Sequence, residues 1–294
     1  MYFVTTFLLA ILITAEARIS INIKSGRNLS DLIITHSGSD EAVIGDREIE
    51  LFKIDTNNLK RAVSARYNKM PTDVFLKSPT PWGDLYKRYQ WKQVTRVMRI
   101  KSAKLKGTSI KTIVVSKQNF DNLSRKNITV NAGISHTVQN TVSTSWTRSR
   151  QISVSQEIDY DFNVVVAKIA GMTTFTYSST VGRSEEKSEA VVLATSSSME
   201  VQLKPGQAAT AVLSAIRSTM SIEVEFALAL HGNVAVNFKK RYNGHHFWAP
   251  TIENVLRNGN LPREVTFIEN VEIGLYGDAS VQVFDKKTGA ALLN

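Results

Sequence analysis

The 294-residue chain contains no cysteine. That absence excludes a disulfide framework, a catalytic thiol and any zinc site built on thiolates, so stability has to come from strand pairing and core packing. Histidine is scarce too: His36, His136, His231, His245 and His246 are scattered, and no His-Glu-x-x-His spacing occurs. His245 and His246 are adjacent, and neighbours in an extended segment point to opposite faces, so they do not chelate one ion together. A Gly-x-Ser-x-Gly elbow and a phosphate-cradling glycine loop are also missing. No catalytic residue, metal site or cofactor is expected, and the chain does not read as an enzyme.

Long apolar runs are absent beyond residue 15. Residues 2–15 form a short one, followed by Ala15-Glu16-Ala17, a small-x-small cleavage pattern. This reads as a signal peptide over 1–17, too short to prefer a membrane anchor, and predicts a secreted, extracellular protein. Sequons at Asn28, Asn122 and Asn127 fit a secretory route and are candidate glycosylation sites. Acidic residues are absent between Leu85 and Lys117, where ten basic ones accumulate, within a net charge of +10. Such a stretch attracts anionic lipid head groups or glycans, and for a secreted chain nucleic acid is not an expected partner. It is equally the composition of a solvated face that keeps a protein soluble.

Proline is rare from 126 to 240, while serine, threonine and valine dominate. Ser or Thr fills 10 of the 21 positions from 135 to 155, yet Val, Ile, Phe and Trp146 are interleaved, which predicts long extended strands and not a linker. Within this stretch Ile152, Val154, Ile158, Tyr160 and Phe162 alternate with Ser153, Ser155, Glu157, Asp159 and Asp161. A second arm alternates Phe175, Tyr177 and Val181 with Thr174, Thr176 and Thr180. Period-two alternation in both arms predicts an amphipathic hairpin over 151–183, with an apolar tip carrying Val164, Val165, Val166 and Ile169. Half-buried surface hairpins alternate in the same way; the aliphatic tip and the three carboxylates on one face are what set this one apart. Helices are expected over 57–67 and 252–258. From Pro81, Trp82, Tyr86 and Tyr89 fall at helical spacing with Trp91 just beyond, beside Lys87, Arg88 and Lys92, making a candidate surface-docking patch.

A Ser/Thr-rich ascending strand, the amphipathic hairpin, a Ser/Thr-rich descending strand and then Leu203-Lys204-Pro205-Gly206-Gln207 leading into a long paired strand form a specific order. It resembles the aerolysin-like β-pore-forming toxins, in particular the epsilon-toxin and mosquitocidal-toxin branch. The resemblance implies a mainly β, elongated fold with long twisted antiparallel strands and a small mixed α/β head. Its organisation would be a head at 18–125 that binds the receptor or membrane, a pore-forming module at 126–240 and a C-terminal β segment at 241–294. It also implies a protein that binds a target-cell membrane through a receptor or glycan, assembles into a homo-oligomer and inserts one hairpin per protomer as a β-barrel. Ile152, Val154, Ile158, Tyr160, Phe162, Phe175, Tyr177 and Val181 would then face lipid. Glu157, Asp159, Asp161, Thr174, Thr176 and Thr180 would line a cation-preferring lumen, and crowding those carboxylates makes insertion easier at lower pH. The rival class is a non-lytic secreted binding, storage or developmental protein on the same β-scaffold.

Overall fold

The computed structural model describes residues 18–25, 32–146, 158–168, 171–194 and 199–293. The expected signal peptide, Asn28, Ile152, Val154, Glu157 and Ile169 lie outside these residues, and so do the side chains of Val166 and Phe175.

The chain opens with β1 (Ile19–Ser25), β2 (Ile33–Ser37) and β3 (Ser39–Val43), then α1 (Asp46–Leu51), α2 (Thr56–Tyr67), β4 (Asp73–Phe75) and α3 (Pro81–Tyr89). The middle holds β5 (Thr95–Asp121), β6 (Ile128–Asn131), β7 (Ser135–Trp146), β8 (Asp159–Lys168), β9 (Gly171–Thr180), β10 (Glu186–Ala194) and β11 (Glu200–Leu203). It continues with β12 (Ala208–His231), β13 (Ala235–Tyr242), β14 (His245–Trp248), α4 (Ile252–Asn258), β15 (Glu264–Asp285) and β16 (Ala291–Leu293). The architecture is mainly β, with long antiparallel strands, as expected.

One seven-stranded sheet, in the order β10-β7-β15-β12-β5-β3 with β16 beside β15, runs the length of the molecule. Its axis is β12, whose 24 residues span roughly 80 Å at ~3.3 Å each. The alternation that makes β12 a strand also divides the core. Ala209, Ala211, Leu213 and Ala215 are buried at odd positions, whereas Met220, Ile222, Val224, Phe226, Leu228 and Leu230 are buried at even ones. No extra residue interrupts β12 between them; the bulges at this level lie on its neighbours, on β15, where Asp278 takes φ +46°, and on β5 at Val115. The two sets therefore use opposite faces of the same sheet. One face, toward the head, is covered by a four-stranded sheet in the order β2-β1-β8-β9. The other, at the far end, is covered by the β6–β11 pair through Ile128, Val130, Val201 and Leu203, with Ile134 just beyond β6.

The expected division at 125 and 240 does not follow the sheet. β5, from the expected head, and β15, from the expected C-terminal segment, both flank β12 along its length. Strand neighbours are chosen by matched length and apolar faces, which sequence distance does not reveal. Ala208–His231 is one continuous strand, and so is Glu264–Asp285.

The head packs α1, α2 and α4 with the three-stranded sheet β14-β13-β4 on the end of β12. α2 starts where Asp55 accepts hydrogen bonds from the backbone N–H groups of Asn57 and Asn58 at 3.0 and 3.1 Å, and ends at left-handed Asn68. α4 has the bounds its sequence predicts.

Candidate functional site

β8 and β9 form the expected hairpin, paired from Asp159↔Thr180 to Lys168↔Gly171. Its two faces separate as their alternation requires. Ile158, Tyr160, Phe162 and Val164 of one arm and Tyr177 and Val181 of the other are buried beneath the hairpin. Asp159, Thr174 and Thr176 are exposed on the opposite face, and Asp161 and Thr180 are partly exposed there. The expected apolar tip is corrected: Val164, Val165 and Val166 belong to β8, paired to Phe175, Thr174 and Thr173. Val164 is buried with the apolar face, whereas Val165 lies half-exposed on the polar one, because the pleat continues through the run.

Ten residues per arm reach ~33 Å, or about 25 Å at a ~40° tilt, which is the height of the apolar band of a membrane barrel. The carboxylates on the outer face are held locally. Thr180 Oγ1 donates to Asp159 at 2.8 Å, Ser178 Oγ donates to Asp161 at 2.5 Å, and Arg18 pairs with Asp161 at 3.2 Å.

The hairpin's seat is apolar with one carboxylate in it. Tyr160 meets Phe226 of β12 at 5.4 Å between ring centroids, and its hydroxyl donates to Glu269 Oε1 on β15. Glu269 is fully buried. Burial, with a smaller contribution from the nearby Glu185 charge, outweighs the Tyr160 hydrogen bond and pushes its carboxyl up to about 8. Glu269 Oε2, Tyr177 Oη and Ser179 Oγ are all buried here without a hydrogen-bond partner among the described residues. Each such group costs on the order of 1–3 kcal/mol, so the docked hairpin is held by apolar contact against a polar penalty. Sequence reading missed Glu269; a single acid in an alternating strand carries no signal that its position faces inward under another sheet.

A second element missed from sequence is β1. It pairs in parallel with β8, from Ile19↔Tyr160 to Ser25↔Val166, and buries Ile19, Ile21 and Ile23. Asn163 Nδ2 donates to Asn22 Oδ1 at 3.1 Å across this junction. β1 therefore closes the edge of the hairpin that β9 leaves open.

The docking patch is broken up by the structure. Trp82, Gly83 and Asp84 have φ of +67°, +76° and +55°, so the first turn of α3 is left-handed and the expected helical stripe does not form. Tyr86 turns inward. It is 3% exposed, its hydroxyl lies 2.8 and 2.9 Å from the carbonyls of Phe75 and Asn233, and it accepts from Ala235 N–H at 3.3 Å. It is a core residue and is withdrawn from the patch. Trp82 and Tyr89 remain 41% and 43% exposed. Trp82 rests on Phe75 and Phe247, and Tyr89 stacks on the partly buried Trp91 at 4.9 Å with the Arg88 guanidinium over its ring. Lys87, Arg88 and Lys92 are exposed around them.

The basic stretch is not one surface either. Arg96 is buried against Asp40 and Glu48, Lys101 pairs with Glu225 and Glu264, and Lys106 pairs with Glu223. Of the sequons, Asn122 is corrected. It is 1% exposed, donates to the carbonyls of Lys126 and Leu203 and accepts from Ser124, so its amide is committed to the fold and no room is left for a glycan. Asn127 is exposed.

No protein-family model matches the chain. U-megalopygitoxin(8)-Mc8 of Megalopyge crispata is 36% identical over 261 residues, 89% of this chain and 90% of its own length. U-megalopygitoxin(8)-Mo12 of Megalopyge opercularis is 36% identical over the same shares. Among solved structures, parasporin-2, a Bacillus thuringiensis toxin, superposes with a TM-score of 0.60 over 83% of this chain and 97% of its own, at 18% identity, a likeness of fold. The conserved length and identity with the first two and the shared backbone with the third make this chain a member of the U-megalopygitoxin(8) family with the aerolysin-like β-toxin fold.

Proposed function

We propose that the chain is a secreted toxin that docks on a cell surface, oligomerises and inserts the 151–183 hairpin as its share of a transmembrane β-barrel. The observation that carries this is the hairpin itself: an apolar face that suits lipid, an opposite face of acids and hydroxyls that suits water, and arms long enough to cross an apolar band. In the described state the apolar face is stored against the body, with Glu269, Tyr177 and Ser179 bearing unmet polar groups in the seat. Asp159 and Asp161 in each protomer favour cations in the lumen. The exposed Trp82 and Tyr89 with Lys87, Arg88 and Lys92 are the docking surface. The 18–125 head and 126–240 module keep their proposed roles, with β5 and β15 shared between them in space.

The test exploits the absence of native cysteine. Asn22 and Asn163 face each other across the β1–β8 junction, so Asn22→Cys with Asn163→Cys forms a disulfide that staples the hairpin to the body. The oxidised double variant should release no dye from vesicles or target cells, and a reductant should restore release. Equal release in both redox states would sink the hairpin assignment. Full-length protein that never causes release on vesicles or a panel of cells would move the reading to a non-lytic binding protein.

A further inference from the structure

The long sheet ends in two open edges of opposite charge. On one side, β3 covers β5 only from Thr95 to Arg99, and past that point β5 has no strand on its outer side among the described residues. From Lys101 to Asp121 no residue of β5 is buried, and Ile110 and Val114 are 59% and 54% exposed. This edge carries Lys104, Lys106, Lys111 and Lys117, with no acid before Asp121. Lys104 and Lys111 make no ion pair with any described residue. On the other side, β10 pairs with β7 alone among the described residues, and it presents the exposed Glu186, Glu189 and Val192, while Lys187 between the two acids is turned onto the Ser178 carbonyl and the Tyr177 ring of β9.

The two edges stand at the same height. Glu186 lies opposite Ser143 of β7, which lies opposite Glu272 of β15, then Ser221 of β12 and Gly107 of β5. Following the rows down, β10 occupies the levels of β5 from Gly107 to about Val115, so Glu186 and Glu189 stand level with the Lys106–Lys111 stretch. Val192 falls near Val114. Four antiparallel steps separate β10 from β5, so both run in the same direction.

We infer that the β5 edge of one copy receives the β10 edge of the next, and that this junction builds the ring. This rests on the pore-forming reading above and names its contact. An interface between two different edges is heterologous, and one without a shift along the strands closes into a ring where a shifted one grows a filament. Charge sets the choice of partner: β5 against β5 places lysines together, β10 against β10 places glutamates together, and only β5 against β10 pairs them while covering Ile110, Val114 and Val192. The occupant of each edge is therefore a second copy of this chain.

Charge reversal tests the junction. Lys104→Glu with Lys111→Glu puts glutamates in place of the two lysines that lack an ion pair with any described residue, opposing the acids of β10, and Glu186→Lys with Glu189→Lys sets lysines against the lysines of β5. Wild type and each variant are incubated with phosphatidylcholine–cholesterol vesicles or target cells, crosslinked, and read on a gel, with thermal unfolding confirming that each variant is folded. Each variant alone should lose roughly tenfold or more of the oligomer, while an equal mixture of the two restores it, because acidic and basic protomers then alternate. Variants that assemble singly as well as wild type, or a mixture that stays monomeric, would overturn this junction while leaving the pore reading intact. Wild type that forms no oligomer under any condition overturns both.

Discussion

Replacing Glu269 by Gln removes the buried carboxyl from the hairpin's seat while keeping its shape and its acceptor for the Tyr160 hydroxyl. The carboxyl titrates near 8 when docked and near its ordinary 4.5 once the hairpin leaves and water reaches it. A raised acid binds its proton more tightly in the docked state. Its contribution to docking is therefore complete below about pH 4.5, falls as pH rises, and changes no further above about pH 8. Each pH unit in that window costs about 1.4 kcal/mol, so going from pH 5 to pH 8 withdraws about 4 kcal/mol from the docked protein. The glutamine is neutral throughout and carries no such slope. Unfolding free energies of wild type and Glu269→Gln, measured across this range, should converge or cross: the variant equal or slightly weaker at pH 5, and more stable by ~2–4 kcal/mol at pH 8. Dye release by wild type should rise with pH over the same window as docking weakens, then meet the opposing effect of Asp159 and Asp161, whose crowding in a barrel favours lower pH. Parallel stability curves for the two proteins would refute the account of the seat.

Tyr86→Phe deletes a buried hydroxyl that serves two carbonyls and one N–H, and should cost about 1–3 kcal/mol in denaturant unfolding without altering cell binding. Trp82→Ala should do the reverse, shifting stability by under ~1 kcal/mol while weakening cell association in a pull-down, because the ring is 41% exposed on the proposed docking surface. Gly232→Ala places a Cβ 2.2 Å from the Gln93 carbonyl oxygen at a φ of +111°, and should cost at least ~3 kcal/mol or abolish soluble expression.

Much of the local structure is written in nearest neighbours. Alternation alone places Tyr160 and Phe162 on one face of an arm and Asp159 and Asp161 on the other, and the helix expected over 57–67 starts within a residue of α2. The order of strands around the hairpin is enough to expect the elongated β-fold. Three matters were decided by the tertiary structure. The turn at Trp82 to Asp84 is left-handed, which sends Tyr86 into the core and leaves Trp82 outside; helical spacing assumes right-handed turns and cannot foresee this. Asn122 reads as a glycan acceptor in a triplet, yet the packing of β11 and the loop after β5 consumes its amide. Glu269, β1 and the two open edges acquire meaning only when strands far apart in sequence become neighbours. Which face is wet follows from a period of two read along one strand; what lies across from it depends on pairing between distant segments, and no local pattern encodes that.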